Sequence, residues 1–308
     1  MTVGLERALG LGLGFAADRA FGDPQRWHPV AGFGRAAGAL ERRLWADSRP
    51  RGAVFTAVAV GVPVVVARVV ERRNGRAGRL VLTAVSTWAV LGARSLEREA
   101  LAVGALLDAD DLPAARQRLT HLVGRRTSEL TEPDVVRAVV ESVAENTSDA
   151  VVAPLFWGGA AGVPGLIGYR AANTLDAMVG HRTERLLQFG WASARLDDVL
   201  NLLPARLAAL LAAGLGSDPS GALAAWRRDA GDHPSPNAGP VEASFAGALG
   251  IQLGGETIYA SGVEQRPRMG SGPAPALPEL RRATALARRV DLGALAVAAL
   301  LALRPRRR

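Results

Sequence analysis

Twenty uncharged residues, Ala150–Tyr169, follow directly on three carboxylates, and this junction most narrows what the chain can fold into. A helix rises about 1.5 Å per residue, so such a run reaches about 30 Å, the thickness of a bilayer's hydrocarbon core. Within it, however, stand Pro154, Gly158, Gly159, Gly162, Pro164, Gly165 and Gly168. So many helix breakers disfavour one straight span, and irregular backbone at membrane depth survives only where protein or water satisfies it. A bent or re-entrant helical hairpin is expected. Upstream, Glu141, Glu145 and Asp149 recur every four residues and share one helical face. Like charges at that spacing repel by a few tenths of a kcal/mol per pair. Such a face is either solvated, with Ser148 or Asp149 capping the next helix, or it awaits a cation such as Mg²⁺ carrying a phosphate. Asn146, Thr147 and Ser148 add neutral oxygens and tilt the reading towards the cation.

Other apolar runs support a membrane setting. Gly52–Val70 holds nineteen residues with Arg68 as its only charge, placed where it can snorkel to the interface. Residues 3–17 are apolar apart from Glu6 and Arg7, and Asp18 and Arg19 follow with no small-residue cleavage site between. A retained helix is expected there rather than a signal peptide. Leu80–Ala93, Val199–Gly216 (with Pro204 and Arg206) and Leu292–Leu303 are shorter or interrupted, and can be spans, half-spans or amphipathic helices. By length alone, Gly52–Val70 and Ala150–Tyr169 are the clear span candidates. Of the polar stretches, Arg94–Asp149 reads as mostly helical, with Pro113 and Pro133 at helix starts, and Arg170–Asp198 as amphipathic. Ser217–Pro278 is rich in glycine and proline and reads as mostly irregular. The terminal RPRRR is a basic flank that favours a cytoplasmic C-terminus.

Composition agrees. Hydrophobic residues make up 49% of the 308, and mean hydropathy is positive. These values fit an all-α, polytopic integral membrane protein with broken or re-entrant helices and polar loop regions. The chain reads as one membrane-embedded domain over 1–308, in which 279–308 form a last helix and its basic tail. With no cysteine, disulfides, thiolate catalysis and Cys-based zinc sites are excluded. The net charge of +8 comes entirely from arginine and suits anionic lipid or an anionic substrate. The arginines are scattered rather than clustered with aromatics, so no nucleic-acid partner is expected.

Three further stretches could carry chemistry. In Tyr169–Leu207, Asn173 and Asp176 share a helical face, as do Asp198 and Asn201, and Arg170, Arg182, Arg185 and Arg195 alternate with the acids. A salt-bridged pair of surface helices accounts for this, as does a polar site at a membrane boundary. In His233–Gly255, Pro234 and Pro236 force an extended turn that presents His233, Ser235 and Asn237 before a helix starting near Pro240. A helix N-terminus beside such a turn suits an anion. In Asp18–Val30, the acids Asp18 and Asp23 lie close to His28, which precedes Pro29 much as His233 precedes Pro234. His121 sits in an ordinary amphipathic stretch and reads as structural. No GxxxxGK[ST], HExxH or GxSxG is present, so a Walker-type phosphate loop, a zinc protease and a serine hydrolase lack support.

The runs GDPQRWHPV, RAVVESVAENTSDAVVAPLFWG, YRAANTLDAMVGHRTERLLQFGWASARLDDVLNLLPARL and HPSPNAGPVEASFAGALGIQLGG stand in this order from Gly22 to Gly255. Together they resemble the adenosylcobinamide-phosphate synthase family of cobalamin biosynthesis, the CobD/CbiB proteins. The resemblance implies a carbon–nitrogen ligase that joins adenosylcobyric acid, a corrinoid, to (R)-1-amino-2-propanol O-phosphate or a threonine-derived phosphate. ATP and Mg²⁺ are the implied co-reactants. Amide formation from a carboxylate needs activation, most simply as an acyl phosphate. Glu145, Asp149 and Asp197 are then the expected metal ligands, with Asp176 and Asp198 as further acids of the catalytic site. Arg170 and Arg195, with Asn146, Asn173, Ser235 and Asn237, are expected to hold the phosphorylated ligands. His28 or His233 would accept the amine's proton.

The implied setting is the plasma membrane, multi-pass, with lipid and other cobalamin enzymes as partners. A returning hairpin at Ala150–Tyr169 would bring ENTSD and NTLD to one cytoplasmic-facing site. A transporter using the broken segment, or a non-catalytic scaffold of the same pathway, are the alternatives. One departure from the family stands out: Arg126 occupies the position of an expected acid in Gly124-Arg125-Arg126-Thr127. His181 and Pro240-Val241 replace expected aromatics.

Overall fold

The computed structural model describes residues 3–22, 28–259 and 262–304, with backbone alone at 258 and 259. Asp23 and most of the terminal RPRRR lie outside the described residues. The chain is mostly helical, with two short strands, and divides into two compact units, each assembled from separated stretches.

The first unit comprises Met1–Gly92, Ala153–Asn201 and Leu295–Arg308. It contains α1 (Val3–Phe21), α2 (Pro29–Leu44), α3 (Arg49–Arg73), α4 (Arg76–Val90), α8 (Ala153–Ala161), α9 (Val163–Val179) and the first half of α10 (Trp191–Leu215). Helix α9 is its centre and packs against α2, α3, α4 and α8. Glycines let helices approach closely: a Cβ on Gly10 or Gly14 of α1 would stand 2.6 or 2.5 Å from Cβ of Thr83 or Thr87 of α4. Small residues at four-residue spacing are how helices pack where no hydrophobic effect drives them together. Beneath α9, Phe55 and Phe189 lie with ring centroids 5.1 Å apart, among Ala37, Ala59, Leu175, Val179 and Leu186. Each fully buried ring contributes about 1.5–3 kcal/mol.

The outward faces of α1 and α3 are largely apolar. Val54, Val58, Val62, Val65, Val66 and Val69 of α3 are all exposed, as are Leu5, Leu9 and Leu13 of α1. Inside, by contrast, Glu6 is buried against Arg79 at 3.0 Å, and Arg7 donates to the Gly159 carbonyl at 3.3 Å. Helix α3 is long and apolar enough to cross a membrane, and only 22% of its most apolar stretch is buried. The second helix that passes this test is α10, not Ala150–Tyr169. The latter is divided into a π-helical turn (Ser148–Val152), α8, a break at Gly162 and α9, so no single helix of spanning length runs through it. The expected bend is therefore present. Gly162 sits at φ +75°, a conformation that disfavours any side chain. Glu71 Oε1 from α3 accepts the Val163 N–H at 3.3 Å, placing a carboxylate at the start of α9 where the helix dipole favours it.

The second unit comprises Ala93–Val152 and Leu202–Ala294. It holds α5 (Ala93–Asp108), α6 (Leu112–Leu119), α7 (Glu132–Thr147), α11 (Pro219–Asp229), α12 (Ala238–Leu249), β1 (Leu253–Tyr259), β2 (Gly262–Met269) and the start of α13 (Leu277–Leu303). Pro113 and Pro133 do lie in the first turns of α6 and α7, and Thr131 with Asp134 forms a capping box. His121 has the structural role expected of it, pairing with Glu99 at 3.1 Å. The stretch Ser217–Pro278 is far more regular than its glycines and prolines suggest. All twelve residues of α12 are buried, and β1 pairs antiparallel with β2, breaking register between Leu253 and Gly255. Gly254 and Gly255 take positive φ at that bulge. The all-helical expectation therefore misses one hairpin.

Candidate functional site

The acidic face of α7 is not one environment. Glu141 is 2% exposed and fully engaged: Arg125 Nη2 donates to Oε2 at 2.6 Å and the Gly254 N–H donates to Oε1 at 2.9 Å. The Gly254-Gly255 pair thus supplies a backbone donor to a buried carboxylate, and its bulge lets the strand come close enough. Glu145, one turn further, is exposed, and Asp149 is half-buried. Between them α7 passes into the π-helical turn, which shifts Asp149 off a strict four-residue repeat. No capping of a new helix occurs there, because the chain continues straight into α8. Asn146 turns back and donates to the Ser142 carbonyl at 2.9 Å.

The His233–Asn237 turn stands at the start of α12. Ser235 Oγ accepts from the N–H groups of Asn237 and Ala238 at 3.3 and 3.2 Å, so Ser235 caps the helix. Asn237 Oδ1 accepts from Arg206 Nη1 at 3.0 Å. His233 is buried, and its Nδ1 accepts from the Ser235 N–H at 3.1 Å. Burial holds its imidazole below its ordinary value. Its Nε2 lies 3.8 Å from Oε1 of Glu242, in the middle of α12. Glu242 is the residue that sequence reasoning missed. It is the single charge in the apolar run Ala238–Leu249, which was the available signal.

In the first unit, a polar chain links α9 to α10. Tyr169 Oη donates to Asn201 Oδ1 at 2.9 Å, Asn201 Nδ2 donates to Asp197 Oδ2 at 3.0 Å, and Asn173 Nδ2 approaches Asp197 Oδ1 at 3.4 Å. Tyr169, Asp197 and Asn201 are all buried. Asp198 pairs with Arg195 at 3.1 Å on the exposed side. Asp176 is half-buried, and burial together with the Asp198 charge pushes its carboxyl upward. The spacing Asn173, Asp176, Asp197, Asp198, Asn201 therefore does bring these residues into one cluster, with Asp198 and Arg195 lining a small cavity beside His181 and Arg182. Arg170 lies elsewhere on α9, in the wall of an apolar cavity of about 160 Å³ shared with Pro29, Val30, Phe33, Pro63 and Thr174. His28 caps α2 just before that wall, its Nδ1 accepting from the Val30 N–H at 3.2 Å.

The predicted residues thus fall into two groups. Asn173, Asp176, Asp197, Asp198, Arg195, Arg170 and His28 belong to the first unit, and Glu145, Asn146, Asp149, His233, Ser235 and Asn237 to the second. Among the described residues no three His, Asp or Glu side chains converge as a metal cage.

Residues 11–287 match the family model described as "CobD/Cbib protein". The chain is 49% identical over 304 residues to a cobalamin biosynthesis protein CobD of Mycobacterium tuberculosis, covering 97% of each. It is 45% identical over 284 residues to the protein of that name in Rhodobacter capsulatus, covering 89% of each. A third, from Chromobacterium violaceum, is 43% identical over 294 residues, covering 92% of this chain and 93% of the relative. No solved structure matches the chain.

Proposed function

The chain belongs to the CobD/CbiB family of cobalamin biosynthesis proteins, and on that premise we propose that it is the ligase that makes adenosylcobinamide phosphate. Adenosylcobyric acid supplies a propionate carboxylate and (R)-1-amino-2-propanol O-phosphate supplies the amine. ATP is cleaved to ADP and phosphate as the amide forms, so the carboxylate oxygen leaves on phosphate and the ammonium gives up two protons. The observation that carries this reading is the family match over 11–287, which contains every acidic and histidine cluster described above.

The residues present suit the chemistry. A Mg²⁺ ion usually binds one or two carboxylates and completes its shell with water and substrate phosphate. When bound, the ion would neutralise phosphate charge during transfer. Glu145 and Asp149 in the second unit, or Asp197 among its amides in the first, are the carboxylates that would hold it. Arg195 and Arg170 offer charge-assisted donors for phosphate oxygens. His233, kept neutral by burial, is in the right protonation state to accept a proton from the amine. The apolar outer faces of α3 and α10 support association with a membrane; in this reading the chain is multi-pass in the plasma membrane and its site faces the cytoplasm.

The test is corrinoid analysis of the purified, detergent-solubilised chain given adenosylcobyric acid, the aminopropanol phosphate, ATP and Mg²⁺. Adenosylcobinamide phosphate is the expected product. Its absence, with an active family member assayed in parallel, would reject the reading.

A further inference from the structure

Helix α12 is buried along its whole length, yet it carries a carboxylate at its centre. Glu242 is 1% exposed, and neither of its oxygens has a hydrogen-bond partner. His233 does not satisfy it. Its Nδ1 lies 3.1 Å from the Ser235 N–H and 3.2 Å from the Ser235 carbonyl, and in either tautomer Nε2 faces Glu242 Oε1 at 3.8 Å, too far for a hydrogen bond. A buried carboxylate in this position takes up either a proton or a cation. A proton would not complete it, because the new O–H would itself lack an acceptor and the second oxygen would still lack a donor. A cation satisfies both oxygens at once.

The neighbouring element supplies the rest. Helix α12 packs on α7, whose Glu141 is already committed to Arg125 and Gly254. Glu145 is one turn away from Glu141 and open to solvent. Burial, then the charges of Glu141 and Glu145, all push the Glu242 carboxyl upward, while Arg266 and Arg125 pull the other way. An exposed carboxylate within electrostatic reach of an unsatisfied buried one offers an entry and a seat for a hard cation. Arg266 on β2 adds positive charge suited to a phosphate arriving with it.

We propose that Glu242 is a ligand of a divalent cation, with the exposed Glu145 as its second carboxylate. Water and a substrate phosphate complete the shell. This deepens the ligase reading by assigning its Mg²⁺ to a residue outside the expected set, and it rests on that reading for the identity of the phosphate.

Binding of Mn²⁺, followed by its electron paramagnetic resonance in the purified full-length chain without substrates, tests the site directly. The wild type should bind Mn²⁺, and Glu242→Gln and Glu145→Gln should each weaken binding at least ten-fold. Undiminished binding by Glu242→Gln, or no binding by the wild type, overturns the proposal. Glu145→Gln lies on the surface and keeps the test decisive should Glu242→Gln fail to fold, since undiminished binding by Glu145→Gln also overturns it. A wild type that makes the corrinoid product while Glu242→Gln binds Mn²⁺ fully would remove the site and keep the reaction. Loss of Mn²⁺ binding in the variants of a chain that makes no product would do the reverse.

Discussion

At the scale of single residues, the three acids of α7 show how one spacing yields three fates. Glu141 is tied by an arginine and a backbone N–H, Glu145 meets solvent, and Asp149 falls in a π-helical turn. Breaking a buried ion pair from one side leaves an uncompensated charge and costs about 3–5 kcal/mol. Arg125→Ala should therefore lower the unfolding midpoint in detergent markedly. The double variant Arg125→Ala with Glu141→Gln should recover part of the loss, because it removes the stranded charge. Equal losses in single and double variants would show that the pair does not hold the loop to α7. This pairing was half legible in the sequence. The regular acids announced themselves, but Arg125 and Gly254 lie 16 and 113 residues from Glu141, and no local period reports a contact of that kind. Glu242 was hidden for the same reason, since the acids that surround it sit about a hundred residues upstream.

Among the elements, the segment Ala150–Tyr169 carries the clearest message. Its glycines and prolines correctly foretold a break, and the structure places it at Gly162, between α8 and α9. A Cβ at that position would stand 2.5 Å from Glu71 Oε1 and 2.7 Å from Arg7 Nη2, in addition to the positive φ. Gly162→Ala should lose at least about 1–2 kcal/mol from the backbone alone. Thermal unfolding in detergent would register it, and an unshifted midpoint would mean that the turn adapts freely. Helix α10 was less legible, because Arg206 and Pro204 interrupt its apolar run. The structure accommodates the arginine by hydrogen bonds to the Leu202 carbonyl and Asn237. The hairpin Leu253–Met269 was hidden by glycines and a proline that read as breakers, whereas Gly254 and Gly255 make a bulge within it.

At the scale of the whole molecule, Val and Leu side chains of α3 and α1 in the first unit face outward while Glu6 is paired with Arg79 inside, which is the arrangement lipid rewards and water does not. The chain should accordingly remain in the membrane pellet through high-salt washing and be released by detergent. Because the chain has no cysteine, one introduced at Asn146 or at Arg182 is a unique label. Each should react with an impermeant maleimide from the cytoplasmic face of sealed vesicles, and reaction of either only from the opposite face would contradict a cytoplasmic site.

The interleaving of the two units has a consequence for how the protein is made. The first unit draws on residues from the beginning, the middle and the end of the chain, and the chain passes between units after Gly92, Val152, Asn201 and Ala294. A ribosome therefore releases no finished half. Helix α8 meets its contact at Ala298, which would touch a Cβ on Gly159, only after the stretches of the second unit have been made. Until then the earlier helices of the first unit keep one packing surface uncovered, so that unit cannot close before the stretches of the second have been made.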